Sequence, residues 1–157
     1  MGEWRHICCP VDLGEESHVA LREAAALARS AAARLTILHV LPPARIAGGE
    51  AIFAPPPARD TADSEPREAD LLLARWTAEA EKTAGRPVPS IRIAGRAAPQ
   101  ILGFVEEQRC DLVVIGRHPR SGVRKLFHRW SVGEWVVRRA SCPVLVVPVP
   151  RTPSPTS

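Results

Sequence analysis

The sequence predicts an α/β fold: a doubly wound, open, five-stranded parallel sheet with helices on both faces, Rossmann-like in architecture. Two observations predict it. Apolar runs of strand length alternate with segments of helical period along the whole chain. Those runs are continuous rather than alternating, as strands are when helices cover both faces of their sheet.

The elements follow in order. His6-Ile-Cys-Cys-Pro-Val11 is a short apolar run stopped at Asp12, and it reads as a buried strand. Glu16 to Ala33 carries Val19, Leu21, Leu27 and many alanines at helical spacings, with no internal Gly or Pro. Leu35 to Leu41 is the second strand, ended by Pro42-Pro43. From Pro42 to Asp63 the chain holds five prolines and Gly48-Gly49, an irregular excursion. Ser64 is placed to cap a second helix running to about Ala84, with Leu72, Trp76 and Ala80 on one face. Gly85 and Pro87 end it, and Val88 to Ala94 follows as the third strand.

Ala97 to Arg109 is the third helix, bearing Ile101, Leu102 and Val105; Pro99 is tolerated in its first turn. Asp111 to Gly116 is the fourth strand, Ser131 to Ala140 the last helix, and Pro143 to Val149 the fifth strand. The expected organisation is one domain over residues 4–149, a Pro/Gly-rich loop at 42–63 and a disordered tail at 150–157.

Composition fits this reading. A chain of 157 residues, 45% hydrophobic and 24% charged, is large enough to bury a core as one soluble domain. The net charge of +4 reads as a solvated basic surface, and nucleic acid is not the expected partner. No apolar run reaches membrane-spanning length, and no secretory segment precedes the first strand, so no membrane and a cytoplasmic location are expected. Cys8 and Cys9 are adjacent in a strand and point to opposite faces, while Cys110 and Cys142 stand singly. Free thiols and no metal site are the expectation.

In such a sheet, functional groups gather at the carboxyl ends of the strands, here Asp12, Val40 and Gly116. Asp12 has two readings of equal weight. It accepts hydrogen bonds from a base or sugar, or it starts the next helix together with Gly14, Glu15, Glu16 and Ser17. Ser131-Val-Gly-Glu134 is a capping box, and Arg138 and Arg139 complement the dipole at the other helix end.

Between these elements lies a basic loop: Arg117, His118, Arg120, Arg124, Lys125, His128 and Arg129, interleaved with Phe127 and Trp130. It has the charge to neutralise polyphosphate or to meet an acidic protein partner, and the alternative is a solvated charge run. G-x-S-x-G, the P-loop and G-x-G-x-x-G are all missing, and no nucleophile is paired with a base. The chain is not expected to be an enzyme.

Several short motifs recur in a fixed order. They are Cys9-Pro-Val-Asp12, Leu38-His-Val40, Gly95, Asp111-Leu-Val-Val-Ile-Gly116, Arg120-Ser-Gly122, Ser131-Val-x-Glu134 and Cys142-Pro-Val-Leu-Val-Val147. With them the chain resembles the universal stress protein family over nearly its whole length. The resemblance implies strand order 3-2-1-4-5 and a stress-response or regulatory role without a defined reaction. It also implies a homodimer through the last strand: Val144, Leu145, Val146 and Val147. An apolar edge strand wants covering by a second copy, and the alternative is that Pro148 and Pro150 blunt it.

Nucleotide-binding members of that family carry G-x2-G-x9-G-[ST] around the phosphates. Carried over, the candidate site is Pro10, Val11, Asp12, Val40, Gly116, Arg117, His118, Arg120, Gly122, Ser131 and Val132. The chain departs from the pattern at three points. Pro119 replaces the second glycine and has no N–H to donate, Trp130 replaces the third, and the interval between them is one residue longer. Gly14 also stands where a serine often follows the aspartate. The expectation is a degenerate phosphate loop and no tightly held cofactor. The alternative is ATP or another adenine nucleotide, held by Asp12 and Val40 with Arg117, His118 and Arg120 taking the phosphates.

Overall fold

The computed structural model describes residues 3–41, 65–117 and 131–150. Within them the chain alternates strand and helix: β1 (His6–Val11), α1 (Glu15–Ser30), β2 (Arg34–Leu41), α2 (Glu65–Ala84), β3 (Ser90–Ala94), α3 (Ala97–Glu107), β4 (Leu112–Gly116), α4 (Val132–Arg139) and β5 (Val144–Val147). The five strands are parallel and lie in the order β3-β2-β1-β4-β5, as the resemblance implies. The excursion and helix cap expected at 42–64, the basic loop from 118 to 130 and the tail from 151 lie outside the described residues.

Side chains along each inner strand alternate between two cores. Ile7, Cys9 and Val11 of β1 join Leu35 and Ile37 of β2 under α1 and α2. Cys8, Leu38, Val113 and Ile115 point the other way, against Ile101, Phe104 and Val105 of α3 and Val136 of α4. Cys8 and Cys9 therefore serve opposite cores, as strand geometry requires. On α1 the buried face is mostly alanine: Ala20, Ala24, Ala25 and Ala28. Such small side chains let its backbone lie close to the sheet. On α2 the buried residues are Leu73, Trp76, Ala80 and Ala84, with Leu72 only partly covered. The imidazole of His18 stacks on Trp76 at 4.5 Å and 11°, and its Nε2 meets Glu79 at 3.0 Å, which ties α1 to α2.

Four element ends differ from the sequence expectation by two residues or more: β5 ends at Val147 rather than Val149, and the other three have a backbone reason. The first helix stops at Ser30 rather than Ala33, because Ala32 turns left-handed (φ 53°). Ala33 then donates its N–H to Ala28 O at 2.9 Å and enters the core. The third helix stops at Glu107 rather than Arg109, with Arg109 left-handed (φ 50°) and Cys110 N donating to Val105 O. Both turns place a residue with a Cβ where glycine is favoured, which costs on the order of 1 kcal/mol. Burial of the next residue, Ala33 or Cys110, offsets it. Finally, β3 begins at Ser90 rather than Val88. Pro89 has no N–H and enters the ladder only through its carbonyl, which accepts from Ile37 N at 2.8 Å.

The amino-terminal edge of the sheet is pinned by Asp111. Its carboxylate accepts from the backbone N–H of Arg5 at 2.9 Å and of His6 at 3.0 Å. This fixes the entry of β1 beside β4 before the ladder begins. Removing an acceptor that serves two backbone donors costs about 1–3 kcal/mol. Asp111→Ala is expected to lower the urea midpoint accordingly. Asp70→Ala removes an ion pair to Arg92 of 2.6 Å that is about half exposed, and it should shift stability by less than about 1 kcal/mol.

Candidate functional site

The strand order reverses at β1, so the crevice of this sheet lies outside the carboxyl ends of β1 and β4. On the β1 side, Val11 pairs in register with His39 of β2, which sets Asp12 and Val40 at the same level. The buried His39 ring donates from Nδ1 to Val11 O at 2.9 Å. That bond ties the last carbonyl of β1 to β2 where the chain turns away to present Asp12.

The turn itself is closed by short polar bonds. Asp12 is exposed, and its Oδ1 accepts the Gly14 N–H at 2.9 Å. Asp12 N donates to Ser17 Oγ at 3.3 Å, and that hydroxyl donates to Gly14 O at 3.0 Å. Leu13 between them is left-handed (φ 64°) and packs part of its side chain on the core. The N-cap of α1 is Gly14, with no side-chain cap, so Asp12 shapes the turn from two residues upstream rather than capping the helix. A side chain at Gly14 would begin 3.1 Å from Asp12 Oδ1 and 3.2 Å from Glu16 Oε2. Gly14 therefore leaves the Asp12 carboxylate its room.

On the β4 side, Gly116 has a packing reason to be glycine. A Cβ there would lie 2.3 Å from the backbone oxygen of Glu16 and 2.5 Å from its carbonyl carbon. The first turn of α1 runs directly over the end of β4, and only hydrogen fits. The next amide is also engaged, since Arg117 N donates to Val147 O at 2.8 Å and extends the ladder to β5.

The third wall is the start of α4. Ser131 is its N-cap in extended backbone, and its Oγ accepts Glu134 N at 3.2 Å. Glu134 returns the bond, with Oε2 accepting Ser131 N at 3.3 Å. This is the capping box that the sequence shows. It places a carboxylate at the positive end of the helix dipole. Gly133 lies over Ile115, with 3.4 Å from a built Cβ to Ile115 Cδ1, which seats α4 against β4.

The candidate residues therefore divide. Pro10 and Val11 lie within β1, half-buried and buried, and Val40 is half-buried near the end of β2. Asp12, Gly116, Arg117, Ser131 and Val132 stand at the carboxyl edge of the sheet and at the start of α4. His118, Arg120 and Gly122 lie outside the described residues, as do Pro119 and Trp130. Among the described residues, no group of three or more His, Cys, Asp or Glu side chains is placed to hold a metal ion. Sequence reasoning missed His39 as a positioning residue. The signal was there, because a histidine inside a buried apolar strand must find a hydrogen-bond partner.

A five-stranded parallel sheet with this order, and with turns gathered at its reversal point, defines a doubly wound α/β protein. The sequence profile of the universal stress protein family matches residues 3–148, and the chain belongs to that family. It is 30% identical over 151 residues to universal stress protein A homolog 1 of Coxiella burnetii, covering 92% of this chain and 96% of the relative. Two solved structures share the fold. A universal stress protein in complex with cAMP aligns with a TM-score of 0.69 at 19% identity, covering 93% of this chain and 98% of the other. The universal stress protein of Archaeoglobus fulgidus in complex with dAMP aligns at 0.62 and 23%, covering 92% and 98%.

Because α1 lies against Gly116, Gly116→Ala is expected to destabilise the ligand-free protein by more than about 2 kcal/mol, read as a fall in the denaturant midpoint. An unchanged midpoint would leave the phosphate pattern as the only reason for that glycine.

Proposed function

We propose that this protein is a non-catalytic, regulatory universal stress protein whose crevice does not hold ATP tightly. The observation that carries this reading is Trp130, directly before the Ser131 N-cap, with Pro119 earlier in the same loop. These are the two positions where the nucleotide-binding pattern of the family needs glycine. Three features of the crevice support the reading. The Ser131 hydroxyl accepts an amide of its own helix, Glu134 brings negative charge to that helix end, and the Arg117 amide bonds to β5. Gly116, the one glycine of the pattern that remains, is needed against Glu16 whether or not a phosphate binds.

A second reading has its own support. The Asp12 carboxylate is exposed at the crevice and oriented by the Gly14 amide, and solved relatives of this fold are described in complex with cAMP and dAMP. In that reading Asp12 and Val40 hold an adenine nucleotide, and loop arginines replace the lost glycine amides. Calorimetric titration of nucleotide-stripped protein with ATP separates the two. The first reading gives no saturable heat below about millimolar ATP, a ceiling of roughly 4 kcal/mol of binding free energy. Micromolar binding that Asp12→Ala abolishes would overturn it in favour of the second.

The protein we propose is a cytoplasmic homodimer formed through β5. Among the described residues, no helix is long and apolar enough to cross a membrane. In the described sheet β5 pairs on one side with β4, and Leu145 and Val146 each remain 40% exposed. An apolar edge strand of this kind is a template for a second copy. Light scattering should return a dimer for the native chain and a monomer of unchanged fold for Val146→Lys. A native monomer would refute the interface.

A further inference from the structure

The amino-terminal edge of the sheet, opposite the crevice, gathers a second set of reactive groups. His6 at the start of β1 is buried, and its Nδ1 lies 2.9 Å from a guanidinium nitrogen of Arg34. Nδ1 also lies 3.2 Å from the carbonyl oxygen of Gln108, and Nε2 meets Thr36 Oγ1 at 2.9 Å, so both ring nitrogens are held by polar partners. Beside this ring lies Cys110, thrown inward by the left-handed turn at Arg109. Its sulfur is 3.6 Å from Nδ1 and 3.9 Å from Nε2.

Two more thiols share this side of the sheet. Cys8 is wholly buried and hydrogen-bonds Cys110, while Cys9 points into the other core. Cys142 is half-buried in the segment before β5. Val113 pairs in register with Val144, and Val113 N donates to Pro143 O at 3.0 Å. The chain entering β4 at Cys110 and the chain entering β5 at Cys142 thus run side by side, and both thiols pack on the same core.

We propose that Cys110 is a site of oxidation by hydrogen peroxide, and that Cys142 is the thiol that closes a disulfide onto it. The Cys110 thiolate attacks one peroxide oxygen. An S–O bond forms, the O–O bond breaks, and the departing hydroxide takes a proton from solvent to become water. Sulfur loses two electrons and peroxide gains them. Cys142 then attacks the sulfenic sulfur, the S–O bond breaks, and the hydroxyl leaves as water with the thiol proton. The balance is two thiols and one peroxide giving one disulfide and two waters.

The surroundings of each thiol assign these roles. Hydrogen bonding from the Cys8 thiol favours the Cys110 thiolate. Burial opposes it, and the His6 contact and the Arg34 charge add further support. Together they bring Cys110 down to about 5. The residue keeps 6% of its surface exposed, which admits a small oxidant and disfavours bulky reagents. Cys8 is raised well above the ordinary thiol by its bond to Cys110 and by burial, and burial pushes Cys9 up to about 12. Cys8 is also held between ladder partners Thr36 and Val113. Cys142 lies outside the strands. It is raised first by burial, then by the charges of Cys110 and Asp111. Oxidation of Cys110 to a neutral sulfenic acid removes one of those charges.

The test uses the full, reduced chain. It is exposed to hydrogen peroxide, quenched, unfolded, alkylated and mapped by mass spectrometry. The expected product is a Cys110–Cys142 bond that dithiothreitol reverses. Cys142→Ser should stop at a sulfenic acid on Cys110 that dimedone, present as the quenched protein is unfolded, traps, and Cys110→Ser should yield neither product. The rate should stay nearly flat from about pH 6 to pH 8, where a thiol of ordinary acidity quickens roughly tenfold per unit. Cys8→Ala, which removes the main support of the thiolate, should slow the native reaction at about pH 6 by at least roughly tenfold. Oxidation only after unfolding, a bond that omits Cys110 or joins it to Cys8, or a tenfold-per-unit rate profile would each overturn the proposal.

Discussion

Contact between the first turn of α1 and the end of β4 is the constraint on which the crevice depends. At Gly116 the backbone oxygen of Glu16 would stand 2.3 Å from any Cβ, so the strand ends in glycine or the helix moves away. The alanine face of α1 makes the approach possible over the whole helix, because Ala20, Ala24, Ala25 and Ala28 keep its axis near the sheet. The helix start then lands at the carboxyl edge of β1, where the Asp12 turn has only two residues in which to reverse direction. Leu13 accepts a left-handed backbone there, held by the Asp12–Gly14 bond and the Ser17 hydroxyl. The crevice is thus largely a by-product of close helix-on-sheet packing, and its polar groups serve the fold first.

The two edges of the sheet carry different chemistry. At the carboxyl edge, the amides of Gly14, Arg117 and Glu134 meet acceptors within the chain itself. The amino edge concentrates polarity within the chain instead: the half-buried Asp111 carboxylate on two backbone amides, and the buried His6 ring among Arg34, Thr36 and Cys110. Such groups are tolerated inside a protein only when hydrogen-bonded, and no side-chain nitrogen or oxygen among the buried described residues lacks a partner. Cys9 shows the contrast. It stands one residue from Cys8, faces only apolar neighbours and is pushed away from ionisation by burial alone.

Much of this was legible in the sequence. Strands covered on both faces read as uninterrupted apolar runs, so β1, β2 and β4 stand within a residue of their expected bounds. The Ser131–Glu134 capping box was readable because its logic is local, three residues apart. Helix ends at Ala32 and Arg109 were not, since a left-handed alanine or arginine carries no compositional sign. Gly116 was visible, but the resemblance offered a phosphate as its reason, while the contact with Glu16 comes from another part of the chain. The Asp111–His6 and Cys110–His6 pairs join positions about a hundred residues apart. Only the parallel pairing of β1 with β4 brings them together.

The amides of Gly14, Arg117 and Glu134 are bonded within the fold, and on the function we propose no phosphate draws on them. Hydrogen–deuterium exchange resolved at single amides tests it most directly, with and without millimolar ATP. Gly14, Arg117 and Glu134 are expected to be protected in the free protein, with their exchange unchanged by ATP. Fast exchange at Arg117 and Glu134 in the free protein, slowed when ATP is added, would contradict it.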